Sequence, residues 1–247
     1  MVLIVGAVPD ALFADPRLAA IYDVVDDDRS DLPHYLQILA DLGVRSVLDV
    51  GCGTGSLAVL LAQRGLEVVG LDPAAASLDV ARRKTGADRV GWVLGDVSAL
   101  PPLQVDAVTM TGNVAQVFLD DVEWLAVLET SFASLCPGGA LVFETRQPQA
   151  QAWRTWTPAA TLRRVEVAGD VVMTWYELVA EDGPLVTFQG WFLFERSGET
   201  LSSVSTLRFR NLEEVEHSLA AAGFTDVAVR GAPDRPGREH VFVARRP

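Results

Sequence analysis

Val47-Leu48-Asp49-Val50-Gly51-Cys52-Gly53-Thr54-Gly55-Ser56 is an apolar run broken by one acid, then three glycines on alternate positions, then the start of a helical apolar pattern. It reads as a buried strand that turns sharply into a helix. Glycine suits such a turn because the chain must take up dihedrals that a Cβ disfavours. A ligand also comes close to the backbone at the carboxyl end of a strand like this one.

Strand and helix patterns alternate outward from this turn. Leu32, Leu36, Leu39, Ala40 and Leu42 fall at helical spacing before Gly43 and lead into a first strand at 44–50. Residues 56–64 read as a helix, 67–71 as a strand, 74–84 as an alanine-rich helix and 90–94 as a third strand. A fourth strand at 105–110, a helix at 122–135 and a fifth strand at 140–145 follow, with Pro137-Gly138-Gly139 expected to end that helix and form the turn. Short strands with consecutive apolar residues, separated by helices, predict an α/β doubly wound, mostly parallel sheet covered on both faces.

Between 147 and 210 the rhythm changes. Four runs, 162–167, 171–179, 185–195 and 201–210, are separated by turn-forming spacers such as Glu181-Asp182-Gly183-Pro184. They predict an antiparallel β insert. A helix at 212–222 closed by Gly223 and two final strands at 226–230 and 240–245 then resume the α/β pattern. The expected organisation is a single domain over 1–247, with a ligand-binding core at 36–146, the insert at 147–210 and a closing helix and hairpin at 211–247.

The chain has 247 residues, 49% of them apolar, which is enough for a substantial core. Cys52 and Cys136 are the only cysteines, too few for a disulfide framework or a four-cysteine metal site, and both read as structural. No metal site is expected. A formal net charge of −13 disfavours nucleic-acid backbones, and the basic runs Arg82-Arg83-Lys84 and Arg245-Arg246 are short. The apolar start at 1–8 is too short for a signal peptide, and no apolar run approaches a membrane span, so a cytoplasmic location is expected.

The ordered set of 47–55, Asp72, Gly95-Asp96, Asp106 with Gly112-Asn113, and 135–144 resembles the class I S-adenosylmethionine (SAM) methyltransferases over about 36–144. The closing strands match more loosely. The chain is most similar there to small-molecule enzymes such as the glycine and amino-sugar N-methyltransferases, which also carry an antiparallel sheet at this place. The resemblance implies seven strands with the last antiparallel, SAM as cofactor, and methyl transfer to N or O of a small-molecule acceptor.

Several residues follow as cofactor-binding candidates. Asp49 and the turn Gly51, Cys52, Gly53 and Gly55 would approach the methionine and ribose portion. Asp72, before Pro73, is expected to hydrogen-bond the ribose diol, with helix capping as the other reading. Asp96, beside Val97, would accept from the adenine amino group or form a turn. Thr111 and Asn113 complete the set. A nicotinamide fingerprint needs G-x-G-x-x-G, but Ser56 stands where its third glycine would be, so a dehydrogenase is a remote alternative. A SAM-binding sensor without transfer would share the same cofactor site.

Methyl transfer is an in-line displacement in which alignment does most of the work and a base is optional. His34, His217 and His240 are not placed at strand tips and read as surface or edge residues. Tyr22, in Ala20-Ile21-Tyr22-Asp23, resembles the tyrosine-aspartate of related enzymes and is the catalytic candidate, with packing of a short helix as the other reading. Asp26-Asp27-Asp28 reads as a solvated loop. Glu144, Thr145 and Arg146 fall at the tip of the fifth strand, where Arg146 would pair with an acidic substrate or a surface acid. Trp153, Trp156, Tyr176 and Trp191 are candidates to line an acceptor pocket, and the insert is expected to act as a lid or as the surface of a homodimer.

Overall fold

A computed structural model describes residues 8–247, so the apolar start at 1–8 lies, apart from Val8, outside the described residues. The chain runs α1 (Ala11–Ala14), α2 (Pro16–Val25), α3 (Leu32–Leu42), β1 (Ser46–Val50), α4 (Ser56–Gln63), β2 (Glu67–Asp72), α5 (Ala75–Ala81) and β3 (Val90–Leu94). It continues through β4 (Val105–Met110), α6 (Asp121–Ser134), β5 (Leu135–Arg146), α7 (Pro158–Thr161), β6 (Arg163–Val167), β7 (Asp170–Asp182), β8 (Leu185–Phe194) and β9 (Glu199–Arg208). The last elements are α8 (Leu212–Ala221), β10 (Thr225–Gly231) and β11 (Glu239–Arg245).

Seven strands form one sheet in the order β10-β11-β5-β4-β1-β2-β3. β1 is parallel to both neighbours, β2 and β4, whereas β11 runs antiparallel to β5 and to β10. The central position of β1 explains its sequence, because a strand covered on both faces buries consecutive residues. Leu48 and Val50 pack on one face with Met110, Phe143, Trp124 of α6 and Leu219 of α8. Val47 points to the other, with Leu39 of α3 and Leu57 and Leu61 of α4. The chain reverses direction across the sheet between β1 and β4, and a crevice opens at their carboxyl ends, where open α/β sheets take ligands.

β5 is longer than expected. Pro137, Gly138 and Gly139 lie within it at a register shift against β4 rather than in a separate turn, and α6 has already ended at Ser134. A Cβ at Gly139 would sit 2.9 Å from the Asp106 carbonyl oxygen, so the close backbone approach at this irregularity requires glycine.

The insert is a four-stranded antiparallel sheet, β6-β7-β8-β9, leaving after β5 and returning into α8. Leu18, Ile21 and Val25 of α2 pack against its Val172 and Phe192. The Leu12 N–H donates to Ser203 Oγ at 2.9 Å, Ser205 Oγ donates to Asp10, and Ser77 Oγ of α5 donates to the Phe13 carbonyl at 3.0 Å. The insert therefore does not close the crevice by itself. It carries α1 and α2, which cross from the insert to α5 over the carboxyl ends of the parallel strands. Among the described residues, no helix is long and apolar enough to cross a membrane, and no group of three or more His, Cys, Asp or Glu is placed to hold a metal.

Candidate active site

The glycine turn is a tied loop. The Gly51 and Cys52 N–H groups both donate to the Leu71 carbonyl, at 2.8 and 3.1 Å, which draws the turn toward the tip of β2. Gly51, Gly53 and Gly55 have φ of 69°, 53° and 76°. Their surroundings differ. A Cβ at Gly51 would meet Val114 at 2.5 Å and one at Gly55 would meet the Trp92 ring at 2.5 Å, whereas one at Gly53 would have nothing within 4 Å. Gly53 thus faces open space, and Gly55 is a packing glycine against β3 and α5.

A cavity of about 890 Å³ begins at this turn and runs to the insert. Tyr22, Asp49, Gly51, Cys52, Gly53, Asp72, Pro73, Asp96, Val97, Thr111 and Asn113 all line it; Gly55 does not. The three histidines are also absent from its lining, and His217 stands beside Asn211 and Glu214 in a separate small hollow on α8.

The acids along the first half are held in distinct ways. Asp49 is buried and accepts from Thr109 Oγ1 at 2.7 Å; burial pushes its carboxyl up to about 7. Asp72 is buried and bridges two loops, its Oδ2 accepting from the Gly53 N–H at 2.7 Å and its Oδ1 from the Ala74 N–H at 2.8 Å. Burial raises its pKa, and the two backbone donors oppose the rise. Asp96 accepts from the Ser98 N–H at 2.8 Å and caps a short turn of helix, so the turn-forming reading and a place on the cavity wall hold together. Asp106, part of the motif series, lies at the other end of the sheet, where it accepts from the Arg45 and Ser46 N–H groups at 2.8 and 3.1 Å. Burial raises the Cys52 thiol well above its ordinary pKa, in keeping with a structural residue.

Tyr22 donates its hydroxyl to Asp26 Oδ2 at 3.0 Å, and its ring packs against Phe13 with centroids 5.4 Å apart. Burial first, and then the charge of Asp26, push its pKa up, so it keeps its proton through the physiological range. Its neighbour Asp23 accepts from Thr54 Oγ1 at 2.6 Å and pairs with Lys84 Nζ at 2.6 Å, while Lys84 also donates to Ser56 Oγ at 2.9 Å. This clamp fastens α2 onto the glycine turn.

The second half lies between the tip of β5, the loop after α2, β11 and the insert. Glu144 is buried and accepts from Tyr35 Oη and from the Asn113 N–H, each at 2.6 Å. Burial pushes its carboxyl up to about 7 despite these donors. Asn113 has φ of 66°, and its Oδ1 is buried without a hydrogen-bond partner among the described residues. Arg29 forks onto Asp31 at 3.1 and 3.3 Å, and Arg235 pairs with Glu239 at 2.7 Å. Trp156, Tyr176 and Phe188 supply an aromatic wall. Of the other aromatic candidates, Trp153 is buried against Phe209 with centroids 4.6 Å apart, and Trp191 stacks on Trp175 on the opposite face of the insert. Thr145 alternates away from the cavity, while Glu144 and Arg146 line it.

Sequence reasoning reached Asp23 only as part of the tyrosine-aspartate pair, and missed its clamp with Thr54 and Lys84 and also Arg29, Tyr35, Arg235 and Glu239. A readable signal existed only for the helix carrying Asp23, where Asp15-Pro16 precedes Leu18, Ile21 and Val25 at helical spacing.

Residues 47–139 match the family described as "Methyltransferase domain". A cypemycin N-terminal methyltransferase from Streptomyces sp is 36% identical over 105 residues, covering 42% of this chain and 43% of the relative. A malonyl-[acyl-carrier protein] O-methyltransferase from Enterobacter lignolyticus (strain SCF1) is 31% identical over 141 residues, covering 49% of this chain and 55% of the relative. The chain thus spans about half the length of these relatives. Among solved structures, the CcbJ methyltransferase from Streptomyces caelestis superposes with a TM-score of 0.73 at 25% identity, covering 92% of this chain and 96% of that one.

Proposed function

We infer that the chain, a class I SAM-dependent methyltransferase by its fold, its ordered motifs and its matched segment, transfers a methyl group from SAM to N or O of a small metabolite. One observation carries this reading: a single cavity joins the glycine turn, Asp72 and Asp96 at one end to an aromatic and charged compartment at the other. A module that only sensed SAM would have no use for the second compartment.

The residues present fit the cofactor. Gly53 faces open space where a side chain would stand, so backbone approach is free. Each oxygen of Asp72 keeps acceptor capacity beyond its one backbone donor, which suits a diol. Asp96 and Val97 form the wall proposed for the adenine. Among the described residues Asn113 Oδ1 has no donor, and Arg29 is a cation on the same cavity, a set suited to an amino-acid zwitterion. When bound, SAM supplies an electrophilic methyl group on a sulfonium.

The chain's own residues then exclude water and hold protons. Phe13, Tyr22 and Val25 on the N-terminal helices cover the cavity. Tyr22 remains a neutral phenol donating to Asp26, which assigns its ring and hydroxyl to positioning rather than proton removal. An amine that arrives deprotonated needs no base. For an acceptor that arrives with its proton, two cavity-lining carboxyls are pushed up to about 7, Asp49 below the glycine turn and Glu144 at the tip of β5, and Glu144 is the one on the acceptor side.

Within the chain, we assign 36–146 chiefly to the cofactor, its end at Glu144 and Arg146 reaching the acceptor side, 147–210 to a lid or dimer surface, and 211–247 to the closing helix and hairpin. Pairing of two chains through the outer face of the insert, where Trp175 and Trp191 stack and Val204 is exposed, is the further part of this reading, and sedimentation measures it. Calorimetry with S-adenosylhomocysteine and with NADH tests the cofactor: preferential NADH binding rejects it. Incubation with methyl-labelled SAM and a metabolite extract tests the transfer. Label in a small-molecule product is expected; label in no product across wide conditions favours a sensor.

A further inference from the structure

Arg146 ends β5 at the acceptor end of the cavity. Its backbone N–H donates to Gln116 Oε1 at 3.3 Å, but among the described residues its guanidinium makes no hydrogen bond. Glu239 Oε1 stands 3.7 Å from Nε and is already held at 2.7 Å by Arg235 Nη1. The guanidinium lies over the Trp156 ring, 5.4 Å from its centroid. Such a group carries five N–H donors in a planar fork, and leaving them unmet away from water is unfavourable. Its side chain keeps 21% exposure, so these donors open onto the cavity. Burial depresses the Arg146 pKa against the opposing charge of Glu239, which Arg235 shares.

We propose, building on the methyl-transfer reading, that Arg146 determines acceptor specificity by taking a carboxylate of the acceptor, whose flat or apolar body lies against Tyr176 and Phe188. The fork of Arg146 matches a planar oxyanion bidentately, and phosphate shares that chemistry. The surrounding charge separates the two. Glu239, Glu144 and Asp26 act on Arg146 through space with Arg235 as the opposing cation, so acids outnumber cations around the fork and disfavour the second charge of a dianion. The aromatic wall lies beside the guanidinium, so the group that binds the fork would be attached to a body that covers rings.

The test uses the full chain loaded with S-adenosylhomocysteine and titrated by calorimetry with benzoate, benzamide and phenyl phosphate. Benzoate is expected to bind about ten-fold more tightly than benzamide, the size of one charged hydrogen-bonding pair, and more tightly than phenyl phosphate. Arg146→Gln should remove the preference for benzoate over benzamide while S-adenosylhomocysteine affinity and the thermal midpoint stay unchanged. Arg146→Lys should retain a reduced preference, and it carries the test if the Gln variant does not fold. Equal binding of benzoate and benzamide, binding of neither at millimolar concentration, or an intact preference in Arg146→Gln overturns the proposal. Tighter binding of phenyl phosphate overturns the carboxylate assignment. Failure of the wild type to bind S-adenosylhomocysteine counts against the methyl-transfer reading instead, and the same titrations on the unloaded chain still test the anion preference.

Discussion

The Gly53 backbone N–H donates to Asp72 Oδ2 at 2.7 Å, so the carboxylate at the tip of β2 holds the turn that follows β1. The other oxygen holds the Ala74 N–H at 2.8 Å. Asp72 therefore shapes the crevice before any ligand arrives. Asp72→Ala should weaken S-adenosylhomocysteine by about 1–3 kcal/mol and lower unfolding stability by a similar amount, because two backbone donors lose their acceptor together. Calorimetry and urea unfolding separate the two. A stability loss with unchanged affinity would restrict Asp72 to tying the loops.

Gly53 and Gly55 should fail differently. Both need positive φ, which costs an alanine about 1–2 kcal/mol. Gly55→Ala also drives a methyl into Trp92 and Ala81 and should lose more stability than Gly53→Ala. Gly53→Ala has room for its methyl but places it in the cavity, and should lose more S-adenosylhomocysteine affinity. Thermal midpoints and binding isotherms on both variants check the crossed pattern.

The Asp23–Lys84 contact joins α2 to the start of α4 through half-buried side chains, a pair worth about 1 kcal/mol or less once solvent screening is counted. Lys84→Met is therefore expected to change stability little but to speed S-adenosylhomocysteine release several-fold, since it loosens the cover rather than the wall. Stopped-flow displacement reads the rate, and an unchanged rate would show that α2 is held by its apolar face alone.

Tyr22→Phe removes a hydroxyl that keeps its proton and donates to Asp26. Activity should fall by no more than about ten-fold, with no change in the shape of its pH profile, as expected for a lost positioning contact rather than a lost base. Loss of several orders of magnitude, with a displaced pH limb, would make Tyr22 a proton acceptor.

Glu144 has its carboxyl raised from an ordinary value of 4.5 to about 7, mainly by burial. In the window between these values the native state holds a proton that the unfolded chain has released, so this group's contribution to stability falls as pH rises from about 4 to about 7. Glu144→Gln should be less stable at every pH, because Tyr35 and Asn113 address different carboxylate oxygens and the amide turns an NH2 group toward one of them. Its deficit relative to wild type should shrink between pH 5 and pH 8. Unfolding curves across that range check it; a deficit that stays flat from pH 5 to pH 8 would place the Glu144 pKa at or below its ordinary value.

The half of the cavity at the glycine turn was legible because its signals are local. A glycine at positive φ, an acid closing a strand and a helix period leave marks within a few residues, which is why the strands β1 to β4, the insert and the places of Asp72 and Asp96 on the cavity wall were readable. The half beside the insert was not. Glu144 meets Tyr35, and Arg146 stands across the sheet from Glu239, through contacts between distant parts of the chain that no spacing encodes. The aromatics show the same limit: Trp156 and Trp191 look equivalent as sequence, but the pleat sends Trp191 to the far side of its sheet with Trp175. Asp106 shows that motif register does not fix a residue's end of the strand, since this acid on β4 serves the amino end of the sheet.

β11 pairs antiparallel with β5 so that Glu239 stands opposite Arg146. The wall of the acceptor compartment is thus finished by the final strand of the sheet, long after the glycine turn has left the ribosome. A nascent chain ended at 139 carries the glycine turn and Asp72 but neither Arg146 nor Glu239 of that wall, so acceptor recognition as proposed waits on completion of the sheet. Loss of this strand, through truncation or fraying, would remove Glu239 and leave Arg146 on β5 without the carboxylate that faces it.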